Sequence, residues 1–472
     1  MSFRAAELSR RRFLIDSAIA AGFASLPMPL RAASETITLV AKERPLRLPD
    51  LAGPSPVWSY GDAWPGELRV PRGETMNALL VNNLTEHTTI HWHGLRVPHA
   101  MDGVPYITQP PVRPGESFLY SFAPPDPGTY FFHPHCDTIQ ALSRGLAGVL
   151  VVEDPRNKGL FDIDQVVALK DWRVLPSGAF DSFSMESDAA RGGTLGNLRT
   201  VNGGEPPTLV VPPAAHVRLR VVNLDVSRIP MLGMRGASAA VIATDGHACE
   251  PFPVQNWRLG PAMRADIAFQ APAGQGAEVV LEDIWSKTPQ LLIRIVTKGA
   301  AAKRPRGNAS LKLPPVELPV PQLGSAQRLN VTLQAGLADP QLEAWLKETG
   351  LGADNLCLSQ GIYWSINRKP WPGMVGDNRP PPLAELTAGK SYIFEIFNGS
   401  RYTHPMHLHG HSFRVLSSTK RKLPPHWADT VLLMPNERVD IAFVAGIPGD
   451  WMFHCHIIDH QDGGMMGYVR VA

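Results

Sequence analysis

The stretch WMFHCHIIDHQDGGMM, Trp451 to Met466, decides how this chain is read. The sequence holds four cysteines, and one of them, Cys455, stands between His454 and His456. His460 and Met465 follow in the same stretch. In a β-strand, side chains at i and i+2 share one face, about 7 Å apart, while i+1 points the opposite way. A strand through this stretch therefore turns His454 and His456 to one side and Cys455 to the other. One short element would then serve two metal sites back to back.

The remaining histidines support that reading. Of 16 histidines, most fall in HWHG (His91, His93), HPH (His133, His135), HPMHLHG (His404, His407, His409) and HCHIIDH (His454, His456, His460). On the Cys455 side, His404, His460 and Met465 can complete a trigonal two-histidine, one-thiolate set with a weak axial thioether. That donor set suits a blue-copper electron-transfer centre. On the other side stand His91, His93, His133, His135, His407, His409, His454 and His456. Eight nitrogens exceed what one ion takes and fit two or three ions held between two domains. Zinc fits less well, because closed structural zinc sites favour two or more cysteines. Zinc also has no redox chemistry for a cysteine bonded through the chain to two histidines.

Working outward, the chain repeats itself. VRPGESFLYSF (Val112–Phe122), LGPAMRADIAF (Leu259–Phe269) and LMPNERVDIAF (Leu433–Phe443) share one pattern. A strand-like run ending in asparagine precedes each: NALLVNNL, VRLRVVNL and SYIFEIFNGS. A period of roughly 150 residues marks a domain repeat rather than a solenoid. With 45 prolines and 41 glycines among short alternating runs, the expected class is all-β, three consecutive β-sandwich or barrel units. ADPQLEAWLKETG (Ala338–Gly350) reads as one short helix inserted in the third unit. A formal net charge of +2 gives no reason to expect a nucleic-acid partner.

The N-terminus has Arg10, Arg11 and Arg12, a mostly apolar run from Phe13 to Leu30, and small residues at Ala32 and Ala33. That order is an export signal, and its paired arginines resemble the bacterial twin-arginine type. No later segment approaches 18 consecutive apolar residues, so no membrane span is expected once the signal is removed. The expected division is 1–33 signal, 34–155 first domain, 156–320 second domain without copper ligands, and 321–472 third domain.

HWHG, HPH, HPMHLHG and HCHIIDHQDGGM resemble the four copper signatures of three-domain multicopper oxidases, the family of laccases and copper-efflux oxidases. The resemblance spans nearly all of the chain after the signal. It implies three cupredoxin-like Greek-key domains and four copper ions. The type 1 ligands would be His404, Cys455, His460 and axial Met465. The type 2 ligands would be His91 and His407. The type 3 pair would use His93, His133, His135, His409, His454 and His456. The implied reaction takes single electrons from a phenolic, aromatic or metal-ion reductant and reduces O₂ to water. Cys455, His454 and His456 would carry the electrons, and Asp102, in MDGVP, would orient ligands and relay protons. The alternative for Asp102 is a turn residue before Gly103. A periplasmic monomer exported by the twin-arginine machinery is expected.

The sequence departs from the family pattern in places. Many bacterial members carry glutamate where this chain has Gln461, so Asp459 or Asp462 would have to serve as proton donor. Cys136, Cys249 and Cys357 allow at most one disulfide. The stretch Gly324–Lys390 contains one methionine, Met374. Copper-efflux members carry a Met-rich Cu(I)-binding insert there, so its lack disfavours a dedicated cuprous oxidase. The chain looks closer to laccase-like members, some of them implicated in Mn(II) oxidation. The alternative reading is a periplasmic cuprous or Mn(II) oxidase in metal homeostasis. A copper nitrite reductase would need neither eight cluster histidines nor a third domain. A copper-free structural relative would have lost ligands. A non-catalytic copper-binding protein would not need the Cys–His junction.

Overall fold

The computed structural model describes residues 35–303, 311–335, 363–372 and 379–472. The expected signal, the Ala338–Gly350 helix, Cys357 and Met374 lie outside the described residues. The described chain is all-β in class, with a few short helices, and its strands are arranged as six sheets. The fold is the succession of β-sandwich units expected from the repeat, of the cupredoxin-like kind that the family resemblance implies.

The sheets form three successive face-to-face pairs. In the first, strands Ser55–Tyr60, Thr36–Leu46, Met76–Asn82 and Ser117–Phe122 lie side by side. Gly66–Pro71, Gly148–Glu153, Gly128–His133 and His91–His93 make the opposing sheet. Leu39, Ala78, Leu80 and Tyr120 from one sheet meet Trp92, Tyr130, Phe132 and Leu150 from the other. The second pair closes in the same way, with Val217, Leu219 and Val221 against Leu281, Ile293 and Ile295. The third closes Phe394, Ile396 and Ile441 on Met406, Phe453 and Val469. The period-two alternation of each strand sends these side chains inward, each worth about 1.5–3 kcal/mol when fully buried.

Some strands are buried on both faces, and their sequence shows it. GVLVV (Gly148–Val152) is continuously apolar. Leu150 and Val152 face the first core, while Val149 and Val151 pack with Phe131, Val166, Trp172 and Val222. That second cluster joins the first sheet pair to the middle one.

The repeated asparagines explain the repeated motifs. Asn82 donates to the carbonyls of Glu86 (2.8 Å) and Val112 (2.9 Å) and accepts from Leu84 N. Asn223 donates to Arg228 and Leu259 and accepts from Asp225 N. Asn398 donates to Tyr402, Leu433 and Met434 and accepts from Ser400 N. Val112, Leu259 and Leu433 open the three repeated motifs. In each unit one buried amide thus ties a strand end to the next motif, satisfying backbone groups the turn would leave bare.

Two strand pairings place the histidine windows. His91 stands opposite His133. Met406 stands opposite Cys455, and His407 opposite His454. With successive side chains alternating, His407 and His454 share one face of the sheet, and Cys455 faces the other. Cys136 and Cys249 carry thiols rather than a disulfide between them, which removes one of the pairings the sequence allowed.

Candidate metal centres

At the sulfur side, His404 opens the strand His404–Leu408, Cys455 ends the strand Gly449–Cys455, and His460 lies in the short helix Ile458–Asp462. Cys455 Sγ is 3.6 Å from His404 Nδ1 and 3.7 Å from His460 Nδ1, and the two nitrogens are 3.0 Å apart. The outer nitrogens are fixed in turn. His404 Nε2–H donates to Ser400 Oγ (2.8 Å), and His460 Nε2–H donates to the Arg191 carbonyl (2.8 Å). Both Nδ1 lone pairs are left facing the sulfur. Burial pushes the thiol well above its usual range and holds His460 down at about 3. A buried thiolate needs a cation beside it, and three converging soft and borderline donors suit one. Met465 is fully buried beside this set, and its backbone pairs with Cys455 N and His460 O.

His460 is fully buried under a segment of the middle unit. Asp459 accepts from Ser184 Oγ and from Thr194 N (2.6 Å). Trp364 Nε1 donates to the Ala189 carbonyl, and the Trp364 ring lies 4.3 Å from that of His460. Asp459 therefore helps hold this cover, and burial raises its carboxyl above the usual range. Gln461 donates to Thr138 Oγ1 (3.2 Å) and lies beside Asp462. Burial, then Asp137, raises the Asp462 carboxyl well above its usual range.

On the other side the eight expected histidines converge. Ring nitrogens of His91, His93 and His407 cluster together, as do those of His93, His133 and His456, and those of His135, His409 and His454. All eight are buried. Their second nitrogens show which lone pairs point inward. His91 Nδ1–H donates to the Asp102 carbonyl (2.9 Å), His133 Nδ1–H to Pro134 O (2.9 Å), and His407 Nδ1–H to Asp429 O (2.8 Å). The Nε2 atoms of His91, His133, His135 and His407 are buried without a hydrogen-bond partner, and so is Nδ1 of His93. His409 Nε2 and His454 Nε2 face each other at 3.0 Å while their Nδ1 atoms donate elsewhere. Facing lone pairs repel unless a cation lies between them, so the donor set fits metal ions. Burial lowers the basicity of His93, His133, His135, His409, His454 and His456, keeping them neutral, the form that ligates.

Asp102 is buried between two of these rings. Its Oδ2 accepts from His409 Nδ1 (2.8 Å), and Oδ1 lies 3.2 Å from His91 Nδ1. Sequence reasoning missed its counterpart, Asp429. Asp429 Oδ1 accepts from His93 Nε2 (3.0 Å) and from Thr430 Oγ1 (2.8 Å). Arg264 Nη1 and Nη2 grip the same carboxylate at 3.0 and 2.5 Å, while Arg264 Nε donates to Thr129 O in the first unit. Asp245 accepts from the backbone N–H groups of Arg264 and Thr430. Gly94 closes HWHG because a Cβ there would overlap both the Asp429 carboxylate and the Arg264 guanidinium. Arg264 had one signal in the sequence, the arginine repeated at equal offset in the second and third motifs.

With that geometry in place, comparison with known proteins is consistent throughout. Three multicopper oxidase family models match residues 47–157, 166–277 and 360–472. A multicopper oxidase crystal structure from Pseudomonas thermotolerans is 37% identical, with 93% of this chain and 99% of that chain covered and a TM-score of 0.81. Multicopper oxidase MmcO of Mycobacterium tuberculosis is 29% identical, with 91% of this chain and 86% of that protein covered. A laccase of Pycnoporus cinnabarinus is 27% identical over 83% of this chain and 81% of its own length. The chain belongs to the multicopper oxidase family. It is a copper oxidoreductase that couples oxidation of a reductant to reduction of O₂ to water.

Proposed function

We propose that this chain is a laccase-like oxidase of phenols or aromatic amines holding four coppers. His404, Cys455, His460 and axial Met465 hold the type 1 ion. His91 and His407 hold the type 2 ion. His93, His133 and His456 hold one member of the type 3 pair, and His135, His409 and His454 the other. Bound copper supplies one-electron redox chemistry at the sulfur site and four-electron O₂ reduction at the cluster. Everything else comes from the chain. His460, under the Arg191 carbonyl, takes the reductant side. The Cys455 backbone joins the sulfur to His454 and His456, so the two ligand sets share a covalent path. Asp102 orients His91 and His409 and holds a carboxylate where protons are consumed.

The observation that carries this reading is that Cys455, at the end of its strand, lies among one set of nitrogen donors while the flanking His454 and His456 lie among another. A phenolic reductant is supported by the methionine-poor stretch Gly324–Lys390. A 25% identical Ochrobactrum relative is described as laccase-like, with oxidase activity towards lignin model compounds and lignosulfonate. We assign residues 1–33 to a twin-arginine signal, the mature protein to the periplasm as a monomer, and residues 34–155, 156–320 and 321–472 to the three domains.

The test is oxygen uptake by the copper-loaded protein with a simple diphenol, with and without added Cu(II), beside a Cys455→Ser variant. Uptake without extra copper, abolished in the variant, is expected. Uptake only with extra copper would instead indicate a cuprous oxidase.

A further inference from the structure

A cleft of about 580 Å³ opens between the second and third sheet pairs. Phe252, Trp257 and Arg258 line one wall, Arg421, Lys422 and His426 the other, with Thr430 to Leu432 between them. Its size is that of a small-molecule site. None of its lining residues is a copper-ligand position or part of the segment covering His460.

The cleft is rich in donors and has no acidic side chain. Arg421 is already matched, donating to both oxygens of Glu437 at 2.9 and 3.1 Å. Glu437 also accepts from Ser418 Oγ and Met434 N, so its oxygens are committed. Arg258 has no carboxylate within ion-pair distance among the described residues. Its guanidinium touches Met434 Sδ (3.6 Å) and stacks 4.4 Å over the Trp285 ring. Burial, then the nearby Arg421 charge, weakens its hold on the proton, the condition a bound anion would relieve. Lys422 is exposed and forms no ion pair among the described residues. The Trp257 indole N–H is buried without an acceptor. Beside these donors is an aromatic corner. The Phe252 and Trp257 rings lie 4.8 Å apart at 54°, and His426 meets Trp257 edge-on at 5.6 Å.

We propose that this cleft binds an aryl carboxylate, with the carboxylate on Arg258 and Lys422 and the ring against Trp257 and Phe252. Guanidinium and ammonium groups without a carboxylate counter-charge among the described residues recognise the charge. The aromatic corner recognises the ring, because aromatic pairs gain from tilted contact beyond the area they bury. A bare inorganic anion would use only the first feature and a neutral arene only the second.

Calorimetric titration of the copper-loaded protein with benzoate tests this, with inorganic phosphate and benzyl alcohol as the two half-ligands. Benzoate has no phenol to oxidise, so the measurement stands whether or not diphenols prove to be substrates. One saturable benzoate site is expected, with both half-ligands at least tenfold weaker. Arg258→Gln and Trp257→Leu should each weaken benzoate tenfold or more, with copper content and diphenol turnover unchanged. Lys422→Gln, at an exposed position that threatens no fold, should weaken it by a smaller factor. No saturable benzoate heat, phosphate binding as tightly as benzoate, or affinity unchanged in both Arg258→Gln and Lys422→Gln would overturn the proposal.

Discussion

Two aspartates bracket the histidine cluster, and their surroundings give them different work. Asp102 meets the imidazole N–H groups of His91 and His409, so its charge is felt by both directly. Asn at this position keeps the volume and removes the charge. Partners of ligating histidines are typically worth 10–100-fold in activity or metal affinity. Asp102→Asn should therefore lower kcat for O₂ uptake by about that factor and leave the visible thiolate–copper absorption intact, since Cys455 lies in the other ligand set. Wild-type kcat would leave Asp102 as a turn residue only. A histidine outside both sets makes a pH prediction. His247 is buried, accepts from Ser412 Oγ–H at 2.9 Å, and is held down at about 4 by burial. An unfolded histidine titrates near 6.5. As pH falls from about 6.5 towards 4, the unfolded chain takes up a proton that the folded one refuses, so this residue's contribution to stability is lost, up to roughly 3 kcal/mol. The apparent melting point of the wild type should drop more steeply across that window than that of His247→Gln. Parallel slopes would show that His247 is not the group responsible.

At the scale of the element, the sequence was legible wherever a period carries the information. HxH spacing and the Cys455 alternation were read from the two-residue repeat of a strand. His91 and His93 lie within one strand, while His135, His409 and His456 fall just past strand ends and still join the same histidine clusters. Asp429 was not legible. It reaches the cluster because the strand Thr430–Leu433 pairs with His404–Leu408 so that Thr430 faces His407, and no local pattern sets that register. The terminal asparagines lie between these cases. Their recurrence was visible, but their hydrogen bonds to the next motif were not. Those bonds make a prediction. Removing the Asn82 amide leaves the Glu86 carbonyl and the Leu84 N–H without partners in a buried corner, while the Val112 carbonyl keeps only the Thr88 N–H. Unsatisfied buried groups cost about 1–3 kcal/mol each where water cannot reach them. Asn82→Ala should lower the apparent melting point by an amount corresponding to about 2–3 kcal/mol, with turnover per bound copper unchanged. A change below about 0.5 kcal/mol would mean that water replaces the amide.

At the scale of the molecule, the middle unit carries no expected copper ligand, yet it is built into the cluster. Arg264 comes from that unit, reaches Thr129 O in the first, and holds Asp429 of the third against His93. The corresponding arginine of the third repeat, Arg438, stays at the surface, with its backbone N bonded to Thr419. One repeated residue has thus become a brace among three units in one copy only. Because both Arg264 and Asp429 are fully buried, removing one leaves the other's charge without its main counter-charge, which costs about 3–5 kcal/mol, whereas removing both leaves only Asp245, 3.6 Å from Arg264 Nη1, without that guanidinium. Arg264→Met and Asp429→Asn should each lower stability sharply, and the double variant should lose less than the sum of the two. His407, in the proposed type 2 set, has its Nδ1 3.5 Å from Asp429 Oδ1 and loses that anionic neighbour in either Asp429 variant, so the electron paramagnetic resonance signal of the type 2 copper should change in Asp429→Asn and in the double variant alike. Denaturant melts of the four proteins measure the coupling. Additivity within about 0.5 kcal/mol would show that the arginine and the aspartate act independently. Coupling without any change in the copper signal would confine the brace to stability.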